Sequence, residues 1–374
     1  MLLQKLIKLA KSDIYPMHMP GHKRSKCFQA PHIPFEIDIT EIDEFDDLHN
    51  PKGILADMAA LAEELYKSKK AFSLINGSTA GIFTAIGAHT QRGDRILITR
   101  NCHWSVENAA ELFGLRPIFI EPTVDNATGI PLSVSPALIE SALKRHEDIK
   151  LLVVTSPSYE GVVCDIRLIA EIAHSHNVCV FVDQAHGAHL GFSDDFPLSA
   201  IQCGADIVVM SLHKTLPALT QCSLLHACSE KANVAEMSRL LSFFQTSSPS
   251  YVLMASIDYC LHLLKNNGIE LFSEYSRRLA SFSQQISGIK NLSVLHHDCK
   301  AMPNGIFAYD KSKIVVCGKN SGLSGQEITE LLRRNHKIEP EKPVEDYVIA
   351  MTSICDTDIG FARLAAALKS IDSL

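Results

Sequence analysis

Between residues 71 and 227 the chain carries seven short apolar, β-rich runs: Ala71–Ile75, Arg95–Thr99, Pro117–Ile120, Leu151–Thr155, Val178–Val182, Asp206–Met210 and Ser223–Ala227. Amphipathic helical stretches separate several of them, notably Thr79–Gln91, Ser105–Phe113, Pro136–Arg145 and Ile166–His176. A strand that is apolar throughout, rather than at every second residue, is buried on both faces, and helices between such strands mean a mostly parallel sheet. The expectation is one large α/β domain with a seven-stranded sheet. A chain of 374 residues is long for one ordinary core, so a smaller second unit is expected beside it.

The flanks fit that division. Met1–Ala10 reads as a short amphipathic helix broken by Lys5 and Lys8, and Lys52–Lys69 has helical periodicity. Beyond Glu230 come helical stretches at Val234–Gln245, Tyr251–Leu264 and Gly268–Ile289. Short β-like runs follow at Leu292–Leu295, Gly305–Tyr309, Lys313–Cys317 and Tyr347–Ala350, with helices at Ser324–His336 and Asp358–Ile371. The domains expected are an N-terminal segment (1–50), a large domain (51–289) and a small C-terminal α+β domain (290–374).

Composition narrows the function classes. A formal charge of −7 argues against a nucleic-acid partner, and no apolar run approaches the ~20 residues of a membrane span. Eleven scattered cysteines without a C-x-x-C pair fit reduced thiols in the cytoplasm. Two charged stretches remain open. His18, His22, Lys23 and Arg24, around a Pro20-Gly21 bend, either converge on an anion or form a solvated basic loop. Asp38–Asp47 holds six acids in ten residues, interleaved with Ile39, Ile42 and Phe45, which suggests an ordered segment lying on a surface.

Three strand ends carry chemistry. Asn76-Gly-Ser-Thr-Ala-Gly81 joins a strand to a helix, where small residues let the backbone close on an anion and Ser78 and Thr79 donate to it. The plain alternative is an N-cap turn, and neither a Walker nor a dinucleotide fingerprint is present. Asp183-Gln-Ala-His-Gly-Ala-His189 puts a carboxylate at the end of a buried strand, which is costly without a cationic partner. A protonated ring nitrogen would serve. A metal held by Asp183, His186 and His189 is the rival, although a glycine-containing turn does not fix both imidazoles, and no metal is expected. Ser211-Leu-His-Lys214 follows another buried strand, and Lys214 is either a solvated loop lysine or one that holds a cofactor aldehyde. Together, phosphate donors, a strand-end acid and a strand-end lysine are the parts that bind pyridoxal 5'-phosphate. His103, in Asn101-Cys-His-Trp-Ser105, would stack on one face of the ring, with the small Ala185 under the other.

The order of these motifs resembles the ornithine/lysine/arginine decarboxylase family, a group of pyridoxal-phosphate enzymes of fold type I. The matching stretches include H-M-P-G-H-K (18–23), D-D-L-H-N-P-K-G (46–53), N-G-S-T-A-G (76–81), R-N-C-H (100–103), P-S-Y-E-G-V (157–162), D-Q-A-H-G-A-H (183–189) and S-L-H-K-T-L-P-A-L-T-Q (211–221). The resemblance implies cofactor roles for Lys214, Asp183, His103, Ser78, Thr79, Ser211 and His213, with Ala185 and His186 in the same set. Ser247 and Ser248 are expected to approach the phosphate of a neighbouring subunit, which implies a homodimer with composite sites, or a higher oligomer. The chain departs from the family at Gln184, where Glu is usual, and at Trp104, where Lys is usual. Family members commonly continue into a further C-terminal domain, so this chain is expected to be a short member.

The reaction implied is α-decarboxylation of arginine, lysine or ornithine, giving a di- or polyamine precursor, with Lys214 or a nearby imidazole returning the proton to Cα. Glu41, Glu44, Asp46 and Asp47, acting in their own or in a partner subunit's site, and Glu160 are the candidates to meet the substrate's distal cation. The same parts would run transamination or another lyase reaction, or persist in a catalytically reduced cofactor-binding paralogue. An aminotransferase generally clamps the carboxylate with an arginine. Arg333, Arg334 and Arg363 all sit in helical stretches, which favours decarboxylation.

Overall fold

The computed structural model describes residues 1–20, 22–24, 32–295 and 303–374. Helices α1 (Leu2–Ala10) and α2 (Ile54–Tyr66) precede β1 (Lys70–Leu74). The alternation then runs α3 (Gly77–His89), β2 (Arg95–Thr99), α4 (Trp104–Leu112), β3 (Arg116–Ile120), α5 (Pro136–Arg145), β4 (Ile149–Thr155), β5 (Val162–Val163), α6 (Ile166–Ser175), β6 (Cys179–Asp183), β7 (Ile207–Ser211), α7 (Leu212–Thr215) and β8 (Ser223–Ala227). Helices α8 (Val234–Phe244) and α9 (Tyr251–Gln285) lead into β9 (Ser293–Leu295), β10 (Ala308–Tyr309), β11 (Lys313–Cys317), α10 (Gly325–His336), β12 (Lys342–Pro343), β13 (Tyr347–Met351) and α11 (Asp358–Asp372).

The large sheet has seven strands in the order β1-β8-β7-β6-β4-β2-β3. It is parallel except at β8, which runs antiparallel to both β1 and β7. Strands β6, β7 and β8 are buried along their whole length, as continuously apolar runs require. The edge strand β3 is the exception, with Arg116 and Pro117 exposed. The register sets Thr155, Asp183 and Val209 side by side, and pairs Ser211 with Ser223. The carboxyl ends of β4, β6 and β7 therefore open on one crevice, where open α/β sheets collect their chemistry.

Elsewhere the structure corrects the sequence-based expectations. The two helices expected on either side of Asn266-Asn267-Gly268 are one helix, α9. An interior glycine costs a helix only about 1 kcal/mol, and burial of Leu264, Phe272, Tyr275 and Leu279 on one face outweighs it. The strand expected at Gly305–Tyr309 contracts to β10, which pairs with the short β5 inside the P-S-Y-E-G-V-V stretch. β12 was not anticipated; Pro343 made it unreadable as a strand, and it pairs along one side with β13. In the four-stranded sheet β12-β13-β11-β9, all paired strands are antiparallel.

The two charged stretches resolve into structure. Ile39 and Phe45 are buried, so the acidic segment is anchored as expected. The basic turn does not gather its side chains on an anion. His22 Nε2 meets Asp38 at 3.2 Å, Lys23 donates to the His18 carbonyl at 2.6 Å, and Arg24 donates to the Leu9 and Ile14 carbonyls. Gly21, half of the expected bend, lies outside the described residues.

Candidate active site

Lys214 sits in the single helical turn α7, one turn past the end of β7. Its ammonium nitrogen lies 3.1 Å from His186 Nε2. Burial draws the Lys214 amine below the ordinary lysine range, opposed by the nearby Asp183 and Glu341 carboxylates and assisted by Lys313. Burial also pulls His186 well down, and the Lys214 and Lys313 cations reinforce it. The imidazole is therefore neutral and its Nε2 accepts from Lys214. His186 Nδ1 is buried without a hydrogen-bond partner.

Asp183 closes β6 and is buried. Desolvation raises its pKa, and the Ala185 amide at 3.0 Å and the Lys214 cation offset only part of that. A carboxylate in this state calls for a further cation at its free oxygen.

At the mouth of the same crevice, α3 begins with Gly77 in the left-handed region (φ 73°). Helix α3 lies hard against the sheet, because Gly81 leaves only 2.7 Å for a Cβ before Leu74 and 2.8 Å before Val209. Its first amides, Gly77 to Thr79, carry the positive end of the helix dipole. Ser78 Oγ is 2.7 Å from Ser211 Oγ and 3.3 Å from Ser223 Oγ, which places a cluster of hydroxyls beside those amides.

A cleft of about 760 Å³ joins these parts. Ser78, Thr79, His103, Asp183, Ala185, His186, Ser211, His213 and Lys214 all line it. His103 caps α4, with its Nδ1 bound to the Ser105 hydroxyl at 2.7 Å, and desolvation plus the Lys214 cation lower its pKa. His213 faces the Cys222 carbonyl at 3.0 Å. The imidazoles of the H-x-x-H pair face different partners, His186 toward Lys214 and His189 toward Asp310 at 3.0 Å. Ser247 and Ser248 are exposed and stand outside the cleft within this chain.

The candidates for a distal cation divide sharply. Asp46 receives the backbone amides of Asp47, Lys52, Gly53 and Leu55 at 2.8–3.0 Å and so caps the approach to α2. Those four donors pull its pKa down against its partial burial. Asp47 takes the His49 amide at 2.8 Å, and neither Asp46, Asp47, Glu41 nor Glu44 lines the cleft. Glu160 does, held by Ser158 and by Tyr347 at 2.9 Å each. Sequence reasoning passed over Tyr159, Glu341 and Lys342. Tyr159 packs its ring 4.4 Å from that of His186 and donates its hydroxyl to Glu341, and Lys342 lines the cleft with its ammonium 5.2 Å over the Tyr159 ring. The signal for Tyr159 was its place just beyond β4; Glu341 and Lys342 carried none. Among the described residues, no arginine lines the cleft; Arg333 pairs with Glu339, Arg334 with Glu330, and Arg363 donates to the His336 carbonyl.

The family model described as Orn/Lys/Arg decarboxylase, major domain, matches residues 1–358. The chain belongs to that family. It is 32% identical to an arginine decarboxylase of Bacillus cereus over 99% of this chain and 82% of that one. It is 36% identical to the uncharacterized protein YaaO of Bacillus subtilis over 89% of this chain and 70% of that one. The crystal structure of the lysine decarboxylase LdcF of Francisella novicida superposes with a TM-score of 0.86 at 20% identity, covering 100% of this chain and 60% of that one. An alanine–glyoxylate aminotransferase from Nostoc superposes over 87% of this chain and 88% of its own, at a TM-score of 0.67 and 15% identity. The fold is that of the pyridoxal-phosphate enzymes of type I.

Membership of this decarboxylase family implies pyridoxal phosphate, and the residues present fit it. The Ser78 and Thr79 amides at the start of α3, beside the Ser78, Ser211 and Ser223 hydroxyls, suit a phosphate. The under-compensated Asp183 suits a protonated ring nitrogen, the buried His186 Nδ1 has no hydrogen-bond partner, and Lys214 lies within the same cleft. At Gln184, where Glu is usual in the family, the side-chain amide donates to the Gly187 carbonyl at 2.8 Å while its oxygen accepts the Ala200 amide at 2.6 Å. A carboxylate cannot donate, so the amide braces the turn that carries His186.

Proposed function

We propose that this protein removes the α-carboxylate of a basic amino acid, arginine, lysine or ornithine, as carbon dioxide. The observation that carries the proposal is the pairing of Lys214 with neutral His186 beside buried Asp183, in a cleft that no arginine lines among the described residues. The arginine and lysine decarboxylases among its relatives support the choice of substrate class.

In this reading Ser78, Thr79, Ser211 and His213 would hold the cofactor phosphate, Asp183 would keep its ring nitrogen protonated, and His103 and Ala185 would pack against the ring. When bound, pyridoxal phosphate supplies an electron sink for the pair left on Cα. The chain supplies the rest. Its lowered pKa keeps part of the Lys214 population as the neutral amine, the form that exchanges with a substrate amine. Among the described residues the cleft gives the α-carboxylate no arginine partner, so its charged form is not clamped against loss as neutral carbon dioxide. Lys214, once protonated, returns a proton to Cα, and His186 takes up the hydrogen bond at its nitrogen. Glu160, which lines the cleft and is positioned by Tyr347 and Ser158, presents negative charge to the substrate's distal cation.

Carbon dioxide release measured across arginine, lysine, ornithine and several neutral amino acids tests this reading. Release from one basic amino acid, lost with the visible cofactor absorbance in Lys214→Ala, is expected. Keto-acid formation without carbon dioxide would instead make the protein an aminotransferase, with Lys342 the remaining cation for a carboxylate. The resulting amine would serve polyamine synthesis in the cytoplasm. Among the described residues no helix is long and apolar enough to cross a membrane. Ser247 and Ser248, outside the cleft of their own chain, are left to complete a partner's site in a homodimer.

A further inference from the structure

Beneath the His186 turn lies a second buried charge cluster, which the proposed reaction does not use. Lys313, at the start of β11, and Asp310 are both fully buried. The Lys313 ammonium donates three times: to Asp310 Oδ2 at 2.9 Å, to Ser312 Oγ at 2.9 Å and to the His186 carbonyl at 3.1 Å. Asp310 Oδ1 meets His189 Nε2 at 3.0 Å and accepts the Ser312 amide at 3.0 Å. Two points of the 183–189 turn, the His186 carbonyl and the His189 ring, are thus tied to one turn of the small sheet.

The same turn also grips the strand-end loop that bears Glu160. The Asp310 amide donates to the Gly161 carbonyl at 2.8 Å. Gly161 has φ 96° and leaves only 2.9 Å for a Cβ before both the Asp310 carbonyl and Lys313 Cγ. No larger residue keeps that approach.

We propose that Lys313 is a positioning residue: by holding the His186 carbonyl from the Asp310–Lys313 turn, it sets the imidazole that meets Lys214, and locks that turn to the loop carrying Glu160. A buried cation with all its donors committed is costly to place and tolerates little displacement, which is what a positioning element requires. The proposal rests on Lys214 being the reacting amine, but its test is read on the protein without cofactor. Failure of the reaction assay and failure of this proposal are therefore separate results.

The test is the pH midpoint at which Lys214 accepts an amine-directed label, followed by mass spectrometry, in a charge-balanced pair of changes. Lys313→Met with Asp310→Asn removes the cation and its counter-charge together and leaves His189 an oxygen to meet. Freed from its carbonyl anchor, His186 should admit water to Lys214, and the midpoint should rise by about one pH unit as desolvation is relieved. In the loaded enzyme, kcat should fall about tenfold or more with KM within about threefold. Lys313→Gln with Asp310→Asn, which returns a donor toward the carbonyl, should recover part of both. Lys313→Arg keeps the cation, so it should fold even if the neutral pairs do not; its longer, planar guanidinium cannot hold the His186 carbonyl where the compact ammonium does, so a smaller upward shift must appear there too. An unchanged midpoint in every folded variant would overturn the proposal. So would a shift in Lys313→Met alone that vanishes in the charge-balanced pair, since Lys313 would then act only as a distant charge.

Discussion

Lys214 and Lys313 are both buried lysines, and their surroundings are opposite. Lys313 has three oxygen acceptors, one of them a carboxylate, and its surroundings are full. Lys214 has one neutral imidazole, lies against an open cleft, and has its amine pulled down by burial. A lysine whose every donor is answered serves the fold. One left short of partners is poised for another molecule. Partner inventory, not burial or residue type, separates the two.

The first way to break this comparison is to remove each ammonium in turn. Lys313→Met leaves Asp310 without its cation and should cost about 3–5 kcal/mol in urea unfolding. Lys214→Met removes an under-partnered amine and should leave stability unchanged or raise it by about 1 kcal/mol, the usual sign at a functional position. Equal losses would erase the distinction. His226, a third buried base, sharpens it further. It meets Ser68 through Nδ1 but has no partner at Nε2, and burial takes its imidazole down to about 3. Unfolded, the imidazole titrates near 6.5, so between those values the unfolded chain binds a proton the folded one refuses. Stability is then complete above about pH 6.5 and declines as pH falls toward 3. Between pH 7 and pH 5 the loss from this group should be about 2 kcal/mol, and His226→Gln should flatten that slope. Glu160→Gln should raise KM for a basic substrate about tenfold, roughly 1.4 kcal/mol, with little change in kcat. Equal KM changes for basic and neutral substrates would remove Glu160 from distal recognition.

The large sheet was legible because burial on both faces leaves its mark in every residue of a strand, and all seven expected runs lie in it. Helix α9 was misread at Gly268, where a local signal lost to one-sided burial of the residues around it. Lys214, Asp183, His103 and Ser78 were legible because each stands at the end of an apolar run or the start of a helix. Acidic candidates were not separable by composition. Asp46 and Glu160 look alike in sequence, but backbone amides claim one and two hydroxyls orient the other toward the cleft. Lys313 was read only as the first residue of a strand, since its partner His186 lies 127 residues earlier.

That separation has a consequence for synthesis. Lys214 and His186 emerge well before Lys313, the residue whose ammonium orders the turn between the large and small sheets. Domains generally fold in the order they are made, and every strand of the large sheet is translated before the anchor. A growing chain would thus carry a loosely placed, more basic Lys214, slow toward aldehydes, until the Asp310–Lys313 turn is translated and docked. Carbonyl reactivity would then be acquired only when the second sheet closes on the first.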